Sequence, residues 1–219
     1  MNITPKAKRI LCYGDSNTWG WVPMGMGLKR FKTEDRWTGI LQKKLGENYE
    51  IIEEGLGGRT TMFDDPRPEF PERNGLKSLP AILESHLPLD LVILMLGTTD
   101  AKEMLSVNQE DITEGMRRLV IAIKEFKVLE GSQSPEILVI VPPIVEEEAE
   151  LASKLFKGGK EKTASLVRSY AKLAEDEGVN YLDPTKEIQV DMTEGIHIDA
   201  KNHIRLAELI LDKIKNLEL

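Results

Sequence analysis

Cysteine is almost missing from this 219-residue chain, with Cys12 the single example. One thiol closes no internal disulfide, and the expected setting is a reducing, cytoplasmic one. Basic charge is also in deficit, since 29 Lys and Arg stand against 37 Asp and Glu for a net charge of −8. A balance of that sign opposes the counterion-release mode of nucleic-acid binding, so no polyanion partner is expected. Long hydrophobic runs are missing as well. The most apolar stretch, "LPLDLVILMLG", is interrupted by Asp90 and falls short of the roughly 20 residues that cross a bilayer. The opening "MNITPKAKR" leads into a strand-length apolar run instead of a signal-peptide core. No internal repeat or low-complexity tract is present, and the length suits one domain, residues 1–219, with chain enough for a single core.

What the chain has instead is alternation. Short apolar runs at Arg9–Tyr13, Glu50–Glu54, Leu91–Leu96, Ile137–Val141 and, more weakly, Asn180–Leu182 have the length of strands. Amphipathic stretches at Trp37–Leu45, Leu76–His86, Gln109–Lys127, Lys160–Glu177 and Ala200–Leu217 follow them or lie between them. Helical crossovers join parallel strands, and runs as apolar as "LVILML" fit strands buried on both faces. The expected fold is therefore α/β, a three-layer α/β/α sandwich on a five-stranded parallel sheet.

Open sheets of this kind bind ligands beyond the carboxyl ends of their strands. The unusual residues fall there: "GDSN" after the first run, "GLGGRT" after the second, "GTTD" after the third, and "DPTKEIQVDMTEGIH" after the fifth. Ser16 and His197, 181 positions apart, are thus expected on one rim. A serine hydroxyl is a weak nucleophile until a base takes its proton. His197 is the candidate base, and Glu194, three residues earlier, is placed to fix its tautomer. Asp191 is the nearby substitute for that acid. Backbone amides of Ser16 and Gly58 are candidate donors to an oxyanion, because a helix start and a glycine turn both expose N–H groups. Trp21 and Met24, with Asp15 beside the nucleophile, are expected to wall a substrate pocket. Trp19 either packs the helix or joins that wall.

Taken together, "GDSN", "GLGGRT", "GTTD" and "EGIH" in this order resemble the four blocks of the SGNH (GDSL-like) hydrolases. The longer stretches "RILCYGDSNTWGWVP", "RFKTEDRWTGIL", "IEEGLGGRTT" and "GIHIDAKN" resemble the arylesterase/acyltransferase branch. The resemblance implies a flavodoxin-like fold, hydrolysis of small esters through an acyl-serine, acyl transfer to alcohols in some members, and no metal or organic cofactor. It implies Ser16 as nucleophile, His197 as base, and Ser16 and Gly58 amides in the oxyanion hole. Two positions depart from the family pattern. Thr99 stands where the third block has asparagine as a further oxyanion donor, and Glu194 stands where an aspartate precedes the histidine. The first departure raises an alternative, a catalytically weakened binding protein on the same scaffold, unless Thr99 itself, a water or Asn17 fills the place of the missing donor. A phosphate loop built from "GDSNTWG" is a third reading, and it leaves the Glu194–His197 pair without a role. The resemblance also implies a homo-oligomer, with the segment between Pro143 and Gly159 either lidding the pocket or packing on a neighbouring subunit.

The remaining residues take structural readings. Cys12 is expected as a small buried thiol, His86 as a helix end, and His203 as a structural or surface residue of the last helix. Asp64 and Asp65 lack the partners of a metal site and are expected in a solvated loop, and the acidic run Glu146–Glu150 in an exposed loop or at a helix start.

Overall fold

Five consecutive apolar residues, Leu91–Met95, leave no strand face for water, so the strand they form must be covered on both sides. In the computed structural model that strand is the centre of the sheet. The structure describes residues 6–25, 29–127, 130, 133–217 and 219; residues 1–5, part of the stretch expected to lack a leader, lie outside these. The strands are β1 (Lys8–Gly14), β2 (Tyr49–Gly55), β3 (Leu91–Met95), β4 (Glu136–Ile140) and β5 (Asn180–Leu182). All pair in parallel, in the order β2-β1-β3-β4-β5, the flavodoxin-like arrangement. The helices are α1 (Ser16–Trp19), α2 (Trp37–Leu45), α3 (Gly75–His86), α4 (Gln109–Lys124), α5 (Ala152–Leu155), α6 (Gly159–Glu177) and α7 (Ala200–Lys215).

The strand period of two sorts the core into two layers. Leu11, Tyr13, Val92 and Leu94 pack with Leu79 of α3, Met116 of α4 and Leu166 of α6. Ile10, Cys12, Ile93 and Met95 pack with Trp37 of α2 and with Leu206 and Ile210 of α7. Cys12 is fully buried, and burial, then the charge of Glu53, push its thiol well above the ordinary range. Among the described residues no helix is long and apolar enough to cross a membrane.

The expected elements are all present, with shifted ends. α4 stops at Lys124, three residues early, where the Glu125 amide closes the last turn onto the Ile121 carbonyl. α7 stops at Lys215 and is capped by Asn216. His86 ends α3 as expected, its Nε2 3.1 Å from Glu54 Oε1. The "FDDPRPE" loop departs from expectation. Asp64 is exposed and paired with Lys77, but the Asp65 side chain is only 1% exposed and holds Arg67. The acidic run is likewise only partly free, because Glu146 pairs with Lys160 and Ala149 is buried.

Short α1 was invisible to periodicity, and its position depends on glycine. A β-carbon on Gly55 would fall 2.3 Å from the Trp19 nitrogen and 2.6 Å from its Cα, so α1 rests directly on the end of β2. Backbone cannot move aside as a side-chain tip does. Gly55→Ala is therefore expected to destabilise the protein by about 1–3 kcal/mol, a fall in Tm of roughly 2–12 °C for a chain of this size. Gly57→Ala adds a methyl group that meets nothing within 4 Å and should stay within about 0.5 kcal/mol. Thermal unfolding followed by circular dichroism checks both, and equal Tm values would show that α1 gives way easily.

Candidate active site

The chain leaves β1 at Gly14 and turns at once into α1, with Asp15 as the turning residue. Its Oδ1 accepts from the Asn17 amide at 2.9 Å, the usual N-cap bond. This corrects the expectation that Asp15 lines the substrate pocket: the side chain is 1% exposed, turned inward by its capping bond, and absent from the cavity wall. Burial raises its pKa, and the Asn17 amide offsets part of that rise. Ser16, the first residue of α1, is left facing the cavity.

His197 comes to it from the loop between β5 and α7. Its Nε2 lies 2.9 Å from Ser16 Oγ, and its Nδ1 meets Glu194 Oε1 in a short contact. Glu194 is completely buried. Its Oε1 also accepts the His197 amide at 2.9 Å, and Oε2 accepts the Met24 amide at 2.8 Å. Burial drives this carboxyl upward, but the His197 side-chain hydrogen bond and charge, with the two amides, outweigh burial and hold it below the ordinary range. An ionised Glu194 accepts a hydrogen bond from Nδ1–H, which leaves Nε2 as acceptor for the serine hydroxyl. Asp191, the substitute acid, is turned away: its Oδ1 accepts from the Thr193 amide at 2.9 Å and from the Thr193 hydroxyl.

Asn17 holds the two segments in register. Its Oδ1 accepts from the Ile198 amide at 3.0 Å, and its Nδ2 donates to the Ile196 carbonyl at 3.3 Å. The carboxamide thus grips the backbone on both sides of His197 and is not available as an oxyanion donor. Neither of its partners is near it in sequence, so nothing local marks this role.

The cavity in front of Ser16 encloses about 320 Å³. Trp21 is one wall, stacked on the His197 ring with centroids 5.5 Å apart and planes 21° apart. Leu151, Leu155 and Phe156 close the far side, so the segment between Pro143 and Gly159 covers the site. Met24 does not reach this cavity. It is 50% exposed beside a neighbouring hollow that shares Trp21, and it serves Glu194 through its amide. Gly58, at φ +81°, lines the cavity, as does Thr99. Among the described residues the Ser16 and Gly58 amides have no protein acceptor. Thr99 is 3% exposed, and among the described residues its hydroxyl makes no hydrogen bond. These three donors thus belong to residues that line the cavity. Sequence reading missed Phe70, Arg67, Arg73 and Lys102, which complete the wall.

With this geometry, the similarity to known proteins is decisive. Residues 12–203 match the model of the GDSL-like lipase/acylhydrolase family. The chain belongs to that family. It is similar to the aryl esterase of M. smegmatis, at 41% identity and TM-score 0.89, over 96% of this chain and 100% of that one. A carbohydrate acetylesterase from Sinorhizobium meliloti is 39% identical at TM-score 0.88, with 95% and 98% covered. A G-D-S-L-family lipolytic protein from Veillonella parvula, 12% identical at TM-score 0.69 over 96% and 100%, shares the family's fold. No curated protein matches. Among the described residues no cluster of three or more His, Cys, Asp or Glu is placed to hold a metal ion.

His203, the other histidine near the family's site, stays out of the cavity. It is 1% exposed, its Nδ1 accepts from the Trp37 amide at 3.3 Å, and Phe31 meets it edge-on with centroids 5.1 Å apart. Burial pulls its pKa down to about 3, against the opposing charge of Asp199. The unfolded chain, with histidine near 6.5, then binds more protons than the folded one between about 6.5 and 3. Stability must fall as pH drops through that window. Comparing Tm against pH for wild type and His203→Gln should show a shallower acid decline in the variant; parallel curves would mean that His203 protonates freely in the fold.

Proposed function

We propose that the protein is a serine esterase acting on small carboxylic esters, aryl or alkyl, through an acyl-serine intermediate. The observation that supports this most is the chain of contacts from Glu194 through His197 to Ser16 at the wall of a cavity with free donors. In this reading the Ser16 oxygen attacks the ester carbonyl while His197 takes its proton at Nε2. Glu194 stabilises the resulting imidazolium. The amides of Ser16 and Gly58 and the Thr99 hydroxyl receive the oxyanion. The alcohol leaves with the proton from His197, and a water, activated in the same way, releases the acid. An added alcohol entering in place of that water would give acyl transfer, which the apolar cavity wall favours by disfavouring water. No cofactor enters either step.

A chromogenic acetate ester is the direct test. Wild type should turn it over, Ser16→Ala should not, and an organophosphate should label Ser16 by peptide mapping. Turnover that persists in Ser16→Ala removes the nucleophile named here. With a short-chain alcohol present, mixed ester should accumulate if transfer competes with hydrolysis. Glu194→Gln should lower kcat by roughly 10²–10⁴, since a carboxamide favours the wrong tautomer, while Glu194→Asp retains more activity. If Asp191→Asn costs more than either, the acid is misassigned.

The weakened-binder reading rests on Thr99, whose hydroxyl reaches less far than an asparagine amide. Removing one oxyanion donor costs about 10²–10³ in kcat, so Thr99→Val should lower kcat on that scale with little change in KM, because the bond strengthens in the transition state. Thr99→Asn should match or exceed wild type. A wild type without turnover that still binds the ester would favour the binder, and an unchanged Thr99→Val would take the hydroxyl out of the oxyanion hole.

A further inference from the structure

Most of the cavity wall is apolar, yet Arg67, Arg73 and Lys102 line it, and no lining residue is a carboxylate. In a chain of net charge −8, that local excess runs against the whole. The three cations are not equally satisfied. Arg67 forks onto Asp65, with Nε and Nη2 at 2.8 and 2.6 Å from its two oxygens. Arg73 spends Nε on the Gly57 carbonyl at 2.8 Å and Nη1 on the Pro71 carbonyl at 2.6 Å, both neutral acceptors. Among the described residues Lys102 has neither an ion-pair partner nor a side-chain hydrogen bond. Burial, then the charge of Arg67, depress its pKa, with Asp65, Asp15 and Asp100 acting the other way from a distance. Phe70 lies against both guanidinium groups, 4.0 Å from Arg67 and 5.4 Å from Arg73, which limits their movement. A largely buried cation without a counterion is costly, and a ligand that brings one is favoured.

Resting on the esterase reading, we propose that the ester selected by this cavity carries a carboxylate besides its reacting group, and that Lys102 holds that carboxylate, with Arg73 lining the same cavity. Asp65 already neutralises Arg67, which leaves Lys102 and Arg73 as the lining cations without a carboxylate partner among the described residues. Lys102 is then a specificity-determining residue, only three positions beyond Thr99.

Binding measured without chemistry tests this. Calorimetric titration of the Ser16→Ala protein with 4-acetoxybenzoate and its neutral counterpart 4-acetoxybenzamide places the charge on the alcohol side. Monoethyl adipate against ethyl hexanoate places it on the acyl side. In at least one pair the acid should bind roughly ten- to a hundredfold tighter, the worth of one hydrogen bond between charged groups. The preference should shrink with added salt, fall close to unity when Lys102→Met is added, and return with Lys102→Arg. No preference in either pair, or a preference that survives Lys102→Met, overturns the proposal. Should Lys102→Met fail to fold, Lys102→Gln reads the same ratio. Neutral esters hydrolysed by wild type without any acid preference would remove this inference and leave the esterase reading standing. An intact acid preference in a wild type that hydrolyses nothing would overturn the esterase reading instead.

Discussion

Ser16 depends on a contact between α1 and the end of β2 that has no room for a methyl group. With glycine at position 55, the α1 backbone approaches the sheet closely enough for Ser16 to sit at its edge. The rest of the relay is hung from this short helix. Asn17, one residue on, bonds the backbone on either side of His197, and Met24, beyond the helix, gives its amide to Glu194. A displacement of α1 would therefore move the hydroxyl, the imidazole loop and the carboxylate together. That coupling explains how a four-residue helix, far below the length at which helices are stable alone, is held as a fixed part of the site.

Buried polar groups tie the neighbouring loops to the same place. Arg59, from the loop after β2, lies over the Tyr13 ring at 4.0 Å and donates to the carbonyls of Gly14, at 2.9 Å, and Glu54. Asp100, from the turn after β3, accepts from the Thr61 amide at 2.9 Å and the Thr61 hydroxyl at 2.5 Å. Burial, which the Thr61 bonds oppose and the charge of Asp15 reinforces, pushes Asp100 up to about 6. These bonds connect segments that adjoin only through the sheet, so Gly58 and Thr99 are held in place from beneath. In a low-dielectric interior an unmet polar group is expensive, and that expense makes the rim rigid.

The electrostatic character of the site is also set by placement. The acidic surplus of the chain lies elsewhere, and Glu194 is the buried acid that contacts the catalytic candidates directly. In the cavity wall, Arg73 and Lys102 have only neutral or distant partners among the described residues. A field that is negative overall and positive at one wall has no counterpart in net charge.

From the sequence by itself came the fold class, the five strands within a residue or so of their ends, both packed layers, and the convergence of Ser16, His197 and Glu194 on one rim. These follow from periodicity and from strand direction, which are local properties carried along the chain. The helix start and the glycine turn also pointed to the amides of Ser16 and Gly58, and the resemblance of the four blocks agreed. What periodicity cannot carry is the direction of a side chain whose partners are remote. Asp15 turns inward to cap α1, and Met24 points away while its amide serves Glu194. Asn17 is spent on the histidine loop, and Asp65 is buried against Arg67. Lys102 reaches the cavity because the turn after β3 carries it there. These directions were decided in the folded chain, and for a polar group such as Asn17 the cost of leaving it buried and unpaired selects one rotamer among several that the local sequence allows equally.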